Sequence, residues 1–418
     1  MTPMRSPASQ FLQIVTLAFA VVACAGHEPS SEQRITVAAM PSPTGPNSAE
    51  PFVSSSDKQN LILSWLHTEV DSVTVTLNVA TTDSSGTWGT AAEVVKATDL
   101  FVNWADFPSV VSLANGRLLA HWLQRNGSGK YSYDVKLSES SDNGRTWSPP
   151  ATAHAPGIPA EHGFATLLPR ADSTADIIFL NGSPSAANSA EGRGPPMSLA
   201  IARWTAAGAV AALPTILDQR TCDCCQTAAA VTSRGPLVMY RDRSETENRD
   251  ISVLRLVNGA WTSPKPLHAD GWTIDACPVN GPAISADGDH VAAVWFTGAR
   301  DTAKVQLVFS SDAGATFGSP VRIDGGMPSG RVDVELLDGG DALVTWIERT
   351  AANASEVRAR IVRADGTVEP MLAIGPITGG RSSGFPRMVA RKHDVVLAWT
   401  MPGAKNEIRL ASLRIAPR

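Results

Sequence analysis

Three of the chain's five cysteines fall in seven residues, TCDCCQT (221–227), and a fourth follows at Cys277 in DACPVN. Thiols crowded this way have several chemistries open to them. Cys222 or Cys225 can be oxidised onto Cys277 as a disulfide, and Cys224 and Cys225 can act as a vicinal redox pair. Alternatively, Cys222, Cys224, Cys225 and Cys277 can hold copper or zinc as thiolates, with the imidazole of His162 in EHGF (161–164) completing the set. The spacing C-x-C-C selects none of these by itself. A second group suits proton transfer: the carboxylates Asp106, Glu161, Asp223 and Asp275. Arg243, Arg331 and Arg381 offer planar, two-donor recognition of a substrate carboxylate. Trp104 and Trp272 offer aromatic faces on which a sugar could stack.

Chemistry at these positions requires a fold that brings them together, and a repeat supplies one. Strongly apolar strands carrying one large aromatic recur as NLILSWLH, RLLAHWLQ, DIIFLNG, PLVMYRD, HVAAVWFT, ALVTWIE and DVVLAWT. Their aromatic anchors are Trp65, Trp122, Phe179, Tyr240, Trp295, Trp346 and Trp399, separated by 57, 57, 61, 55, 51 and 53 residues. A shorter strand precedes most anchors and another follows each. Short strands, Gly/Asp turns and a period near 55 predict an all-β propeller of four-stranded blades. Seven blades is the direct count, and six follows if the unit around Phe179 is irregular. The last repeat ends at LASLRIAPR with no fourth strand, and the apolar segment RITVAA (34–39) precedes the first repeat. An N-terminal strand is therefore expected to close the ring and cover its open edge. In a propeller the segment entering each innermost strand lies near the axis. Cys222 and Cys277 each stand eighteen residues ahead of their anchors, so both should meet at one mouth of the channel.

Two turns, SSDNGRTW (140–147) and SSDAGATF (310–317), carry the pattern Ser-x-Asp-x-Gly-x-Thr-aromatic, and TTDSSGTW (81–88) is a looser copy. In such a turn Asp142 or Asp312 caps backbone N–H groups, and Gly144 or Gly314 supplies a permissive backbone. These turns resemble the Asp boxes (BNR repeats) of the sialidase-like propellers, and the resemblance covers about residues 50–418. It implies a site built from an arginine cluster, a Tyr/Glu nucleophile pair and an Asp acid/base. The chain departs from that pattern. It has only three tyrosines; Tyr240 is an anchor, and Tyr131 and Tyr133 stand ahead of a third strand, with no evident nucleophile among them. PFVSSS (51–56) stands where an arginine entry would be expected. Three classes of function remain. One is a ligand- or metal-binding site at the channel mouth, and another is a sialidase-related glycoside hydrolase working through funnel carboxylates and arginines. A disulfide-braced propeller presenting a surface to a protein partner is a third.

The N-terminus reads separately. Arg5 and the apolar run FLQIVTLAFAVV (11–22) end in VVAC, which resembles a bacterial lipoprotein signal with Cys24 as the lipidated residue. The implied layout is a signal over 1–23, a tether over 24–50 and a single propeller over 51–418. The resemblance implies export to the periplasmic or cell-surface side, with Ala25 favouring the outer membrane and membrane contact only through the anchor. A net charge of −5 gives no basic footprint for nucleic acid, leaving a small molecule or glycan in the funnel, or a protein, as the expected partner.

Overall fold

The computed structural model describes Met1 and residues 33–56, 59–183, 196–351 and 354–417. Residues 2–32, which include the expected signal and Cys24, lie outside the described residues. From residue 33 onward the described strands form seven antiparallel sheets. Six consecutive blades run from Ser48–Ser56, the first strand of blade one, to Leu372–Ile377, the last strand of blade six. The unit around Phe179 is a regular four-stranded blade: His162–Pro169, Ala175–Asn181, Ser198–Trp204 and Thr215–Asp218. The count is therefore seven.

Each anchor lies in the second strand of its blade and is buried. All seven share an apolar cluster with the preceding blade. Trp65 joins Val396 and Ala398, Trp122 joins Leu66 and Leu77, and Phe179 joins Leu119 and Leu137. Tyr240 joins Ile178 and Leu180, Trp295 joins Leu237 and Met239, Trp346 joins Val294 and Leu307, and Trp399 joins Leu343 and Ile347. Radiating sheets leave a wedge between neighbours, and one large ring per blade fills it. This explains why the second strands are apolar on both faces and why the anchor recurs once per repeat.

Closure is made by Ile35–Met40, which pairs antiparallel with the last strand, Glu407–Ile415, from Ile35↔Ile415 to Met40↔Leu410. Ile35 is buried with Leu343 and Leu413. Arg34 ties the entry to blade six through Asp341 (3.2 Å) and Glu369 (3.0 Å).

The two Ser-x-Asp turns connect third to fourth strands. Asp142 Oδ1 accepts from Thr146 N at 2.8 Å and Asp312 Oδ1 from Thr316 N at 2.9 Å, while Gly144 and Gly314 adopt φ of 84° and 74°. Strand direction alternates, so these turns lie on the face opposite the entries to the innermost strands and the loops joining second to third strands. The candidate residues for chemistry belong to those entries and loops.

Candidate functional site

The most connected group at this face joins blades two and three. Tyr133 is the first residue of the strand Tyr133–Ser140, and a parallel bridge pairs it with Glu161. Its hydroxyl lies 2.8 Å from Glu161 Oε1 and 3.1 Å from Asp106 Oδ2. One phenolic hydrogen serves only one carboxylate, so the second contact requires a carboxyl proton. Asp106 also accepts from Phe164 N at 2.7 Å, and a side chain at Gly163 would overlap its Oδ2. Burial pushes the Asp106 carboxyl up to about 8. Glu161 is pushed up to about 7, by burial first and then by repulsion from Asp223, while the Tyr133 hydrogen bond works the other way. Of the three, only Glu161 has appreciable exposure. Tyr133 is buried and stacked on Phe101, with centroids 4.0 Å apart.

Backbone strain concentrates at the same entries. Glu50, Phe164 and Arg331 hold φ of 49°, 52° and 55° at or beside bulges in the first strands of blades one, three and six. Side chains with a Cβ rarely occupy that region, and such strain is commonest at functional positions.

Blade four adds a charged arc. Asp223 accepts from Met197 N at 2.8 Å and pairs with Arg243 at 2.7 Å; Arg243 also reaches Glu247 at 2.8 Å, and Glu247 reaches Arg249 at 2.7 Å. Burial raises the Asp223 carboxyl despite the Arg243 charge. Arg243 and Arg249 hold Glu247 down at about 2.

The cysteines converge without bonding. All four are free thiols. Cys222 Sγ lies 3.0 Å from Cys225 Sγ and 3.8 Å from Cys224 Sγ, and the contact across to blade five runs from Cys224 to Cys277. The disulfides expected from Cys222 or Cys225 to Cys277 are not made, and neither is a vicinal Cys224–Cys225 link. The closest pair is spaced C-x-x-C, which the crowding of the run obscures. Burial opposes ionisation of Cys222. The neighbouring thiols and the charges of Arg241 and Arg249 outweigh it and hold Cys222 well below its ordinary value. Arg249 Nη1 donates to Cys222 Sγ at 3.3 Å.

His162 does not complete this set. Its Nδ1 faces Tyr133 O at 3.2 Å and its Nε2 faces Ser183 Oγ at 3.0 Å, and its ring stacks on His154 at 3.5 Å with 9° between planes. It groups instead with His154 and Asp134, all three buried. The described residues thus contain two separate clusters of potential metal ligands, one of sulfur and one of Asp and His.

The remaining candidates disperse. Arg331 donates to Gly380 O and Gly384 O, both at 3.0 Å, and lies over Trp104 at 4.7 Å. Arg381 is exposed. With Arg243 tied to Asp223 and Glu247, the side chains of the three arginines share no partner among their described contacts. Trp272 is buried beneath Arg241 at 4.8 Å, and Trp104 stacks on Phe385, so neither stands as an open wall for a sugar. Asp275 lies on an exposed loop ahead of blade five. Sequence reasoning passed over Tyr133. The usable signal was that Glu161, like Cys222 and Cys277, stands eighteen residues ahead of its anchor, beside the start of a neighbouring third strand. Asp106 also lines a cavity of about 150 Å³, together with Phe164, Gln226, Asp333 and Arg387 among others.

No family model and no curated protein matches the chain. Solved structures do. A polysaccharide lyase, Uly1, superposes with a TM-score of 0.53 at 9% identity, covering 88% of this chain and 90% of that one. A protein of unknown function from Dyadobacter fermentans gives 0.49 at 15% identity, covering 88% and 95%. The Hadza microbial sialidase Hz136 gives 0.49 at 13%, covering 82% and 74%. At such identities the likeness is one of fold.

Proposed function

We propose that the chain is a carbohydrate-active enzyme of sialidase-like architecture that hydrolyses a glycosidic bond at the face carrying Glu161. The observation that supports this reading is the Tyr133–Glu161–Asp106 group, in which one phenol joins two carboxyls that burial has driven into the neutral range. A carboxyl titrating near neutrality is suited to deliver a proton to a leaving-group oxygen and to recover it. Glu161 takes that role because it alone of the group is accessible. Asp223, held by Arg243, is the second carboxylate, kept in a polar and partly exposed setting. Paired carboxyls are the working parts of glycoside hydrolysis. Tyr133 is too buried to touch substrate and acts as a positioning residue. Arg243, Arg331 and Arg381 have separate engagements, so the reading names a glycan and not a sialoside in particular.

The test is a screen of the full chain against fluorogenic glycosides and uronate-containing polysaccharides, read as reducing ends and as unsaturated uronate. Hydrolysis with an alkaline limb near pH 7 is expected, and Glu161→Gln should lower kcat about 10²–10⁴-fold. Tyr133→Phe should keep most of kcat but move that limb to higher pH, because the lost hydrogen bond favours the Glu161 carboxylate. Unsaturated uronate without hydrolysis, or a Glu161→Gln chain as active as its parent, would sink the reading.

A further inference from the structure

We propose that Cys222, Cys224 and Cys225 form a buried three-coordinate thiolate site for a soft monovalent cation, Cu(I). The three Sγ atoms lie within 4.8 Å of one another, and among the described residues no nitrogen or oxygen ligand belongs to that cluster. An all-sulfur set selects soft ions over hard ones. Metal–sulfur bonds of about 2.3 Å place trigonal sulfurs roughly 4 Å apart. The Cys222–Cys224 separation of 3.8 Å is already close to that edge, and the Cys222–Cys225 separation of 3.0 Å has to open by about 1 Å.

The surroundings are built for anionic sulfur. Arg249 donates to Cys222 Sγ and is itself fixed by Glu247, which resembles the outer hydrogen bonding that orients metal ligands. Arg241 is almost wholly buried, and its guanidinium donates to three backbone carbonyls, Asn280 O, Arg249 O and Phe296 O, at 2.6–2.8 Å. Carbonyls satisfy its hydrogens but supply no counter-charge; a metal-bound thiolate at Cys222 would supply one. The loop is also held before any ion arrives, through Cys222 N to Arg241 O at 3.0 Å and Thr221 N to Met197 O at 2.9 Å.

Three sulfurs, not four, set the choice of ion. Structural zinc closes its shell with four ligands. Cys277 is exposed, touches Cys224, and falls outside the converging group. The other cluster is a poor rival. The rings of His154 and His162 lie parallel at 3.5 Å, so an ion in the plane of one lies well off the plane of the other.

The experiment uses the reduced full chain under nitrogen, titrated with Cu(I) against a coloured Cu(I) chelator. The wild-type chain should withdraw one equivalent. In the loaded chain, iodoacetamide followed by mass spectrometry should modify Cys277 and spare Cys222, Cys224 and Cys225. Cys222→Ser and Cys225→Ser should each weaken binding by at least about 100-fold, Arg249→Met by about 10-fold, and Cys277→Ser by no more than about threefold. Failure of the wild type to withdraw copper after full reduction overturns the proposal, and needs no variant to fold. A site that prefers Zn(II) and loses it equally in Cys277→Ser overturns the three-coordinate assignment. Glycoside hydrolysis is a separate readout, so loss of either proposal leaves the other standing.

Discussion

A carboxyl that is easier to protonate in the folded chain than in the unfolded one makes stability fall as pH rises. Asp106 and Glu161 are such groups, raised to about 8 and about 7, and Glu50 and Glu335 are raised to about 7 by burial. Their contribution is complete below about pH 4 and is lost as pH climbs through 7 to 8, at about 1.4 kcal/mol for each tenfold difference in proton affinity between the folded and unfolded chain. Glu247 and Asp142 work oppositely: each is held down at about 2, by the Arg243 hydrogen bond and the Thr146 hydroxyl respectively, and their contribution is lost only in acid. Tm should therefore peak on the acid side of neutrality, near pH 5, and decline towards pH 9. Asp106→Asn keeps an acceptor for Phe164 N and offers a donor to the Tyr133 oxygen, so it should visibly flatten that decline. Calorimetry at pH 5 and pH 9 decides the point; an undiminished decline in the variant would count against a neutral Asp106.

At the scale of the element, the blades were readable because each one repeats the same packing demand. One ring per inter-blade wedge imposes one aromatic per period, and the spacing survives wide divergence in everything else. The Ser-x-Asp turns were readable for a similar reason, since the cap and the left-handed glycine lie within a few residues of each other. The site obeys no such local rule. Tyr133 reads as a residue ahead of a third strand, and Asp106 and Glu161 as residues at the entries to two different blades, and only the docking of blade three against blade two makes them neighbours. His162 shows the opposite failure: its entry segment faces the right way, but its ring turns towards His154 and away from sulfur. The turns carry their own prediction. Gly86 and Gly314 both have left-handed φ, of 83° and 74°, yet an added Cβ meets nothing at Gly86 and overlaps Leu237 Cδ1 at Gly314. Gly86→Ala should cost about 1–2 kcal/mol and Gly314→Ala about 1–3 kcal/mol more, measured by urea unfolding. Equal costs would mean that Leu237 moves aside freely.

The whole molecule depends on a strand from each end of the chain. Without Ile35–Met40 the strand Glu407–Ile415 becomes an open sheet edge, and Arg34 no longer binds Asp341 and Glu369. A chain cut after Met40 should lose several degrees of Tm and self-associate in light scattering, whereas Ser54→Ala, which removes one hydrogen bond to Val110 O, should remain monodisperse. A monomeric cut chain of unchanged Tm would refute closure as the source of stability.

That same closure dictates a timetable. Ile35 is among the first propeller residues to leave the ribosome, and its partner Ile415 is among the last. Throughout synthesis the growing chain therefore carries an unmated apolar ribbon, and no number of finished blades can retire it. Contacts this distant along the chain make folding slow. A nascent chain stalled before its last repeat should thus be protease-sensitive at its beginning, long after its middle has become resistant.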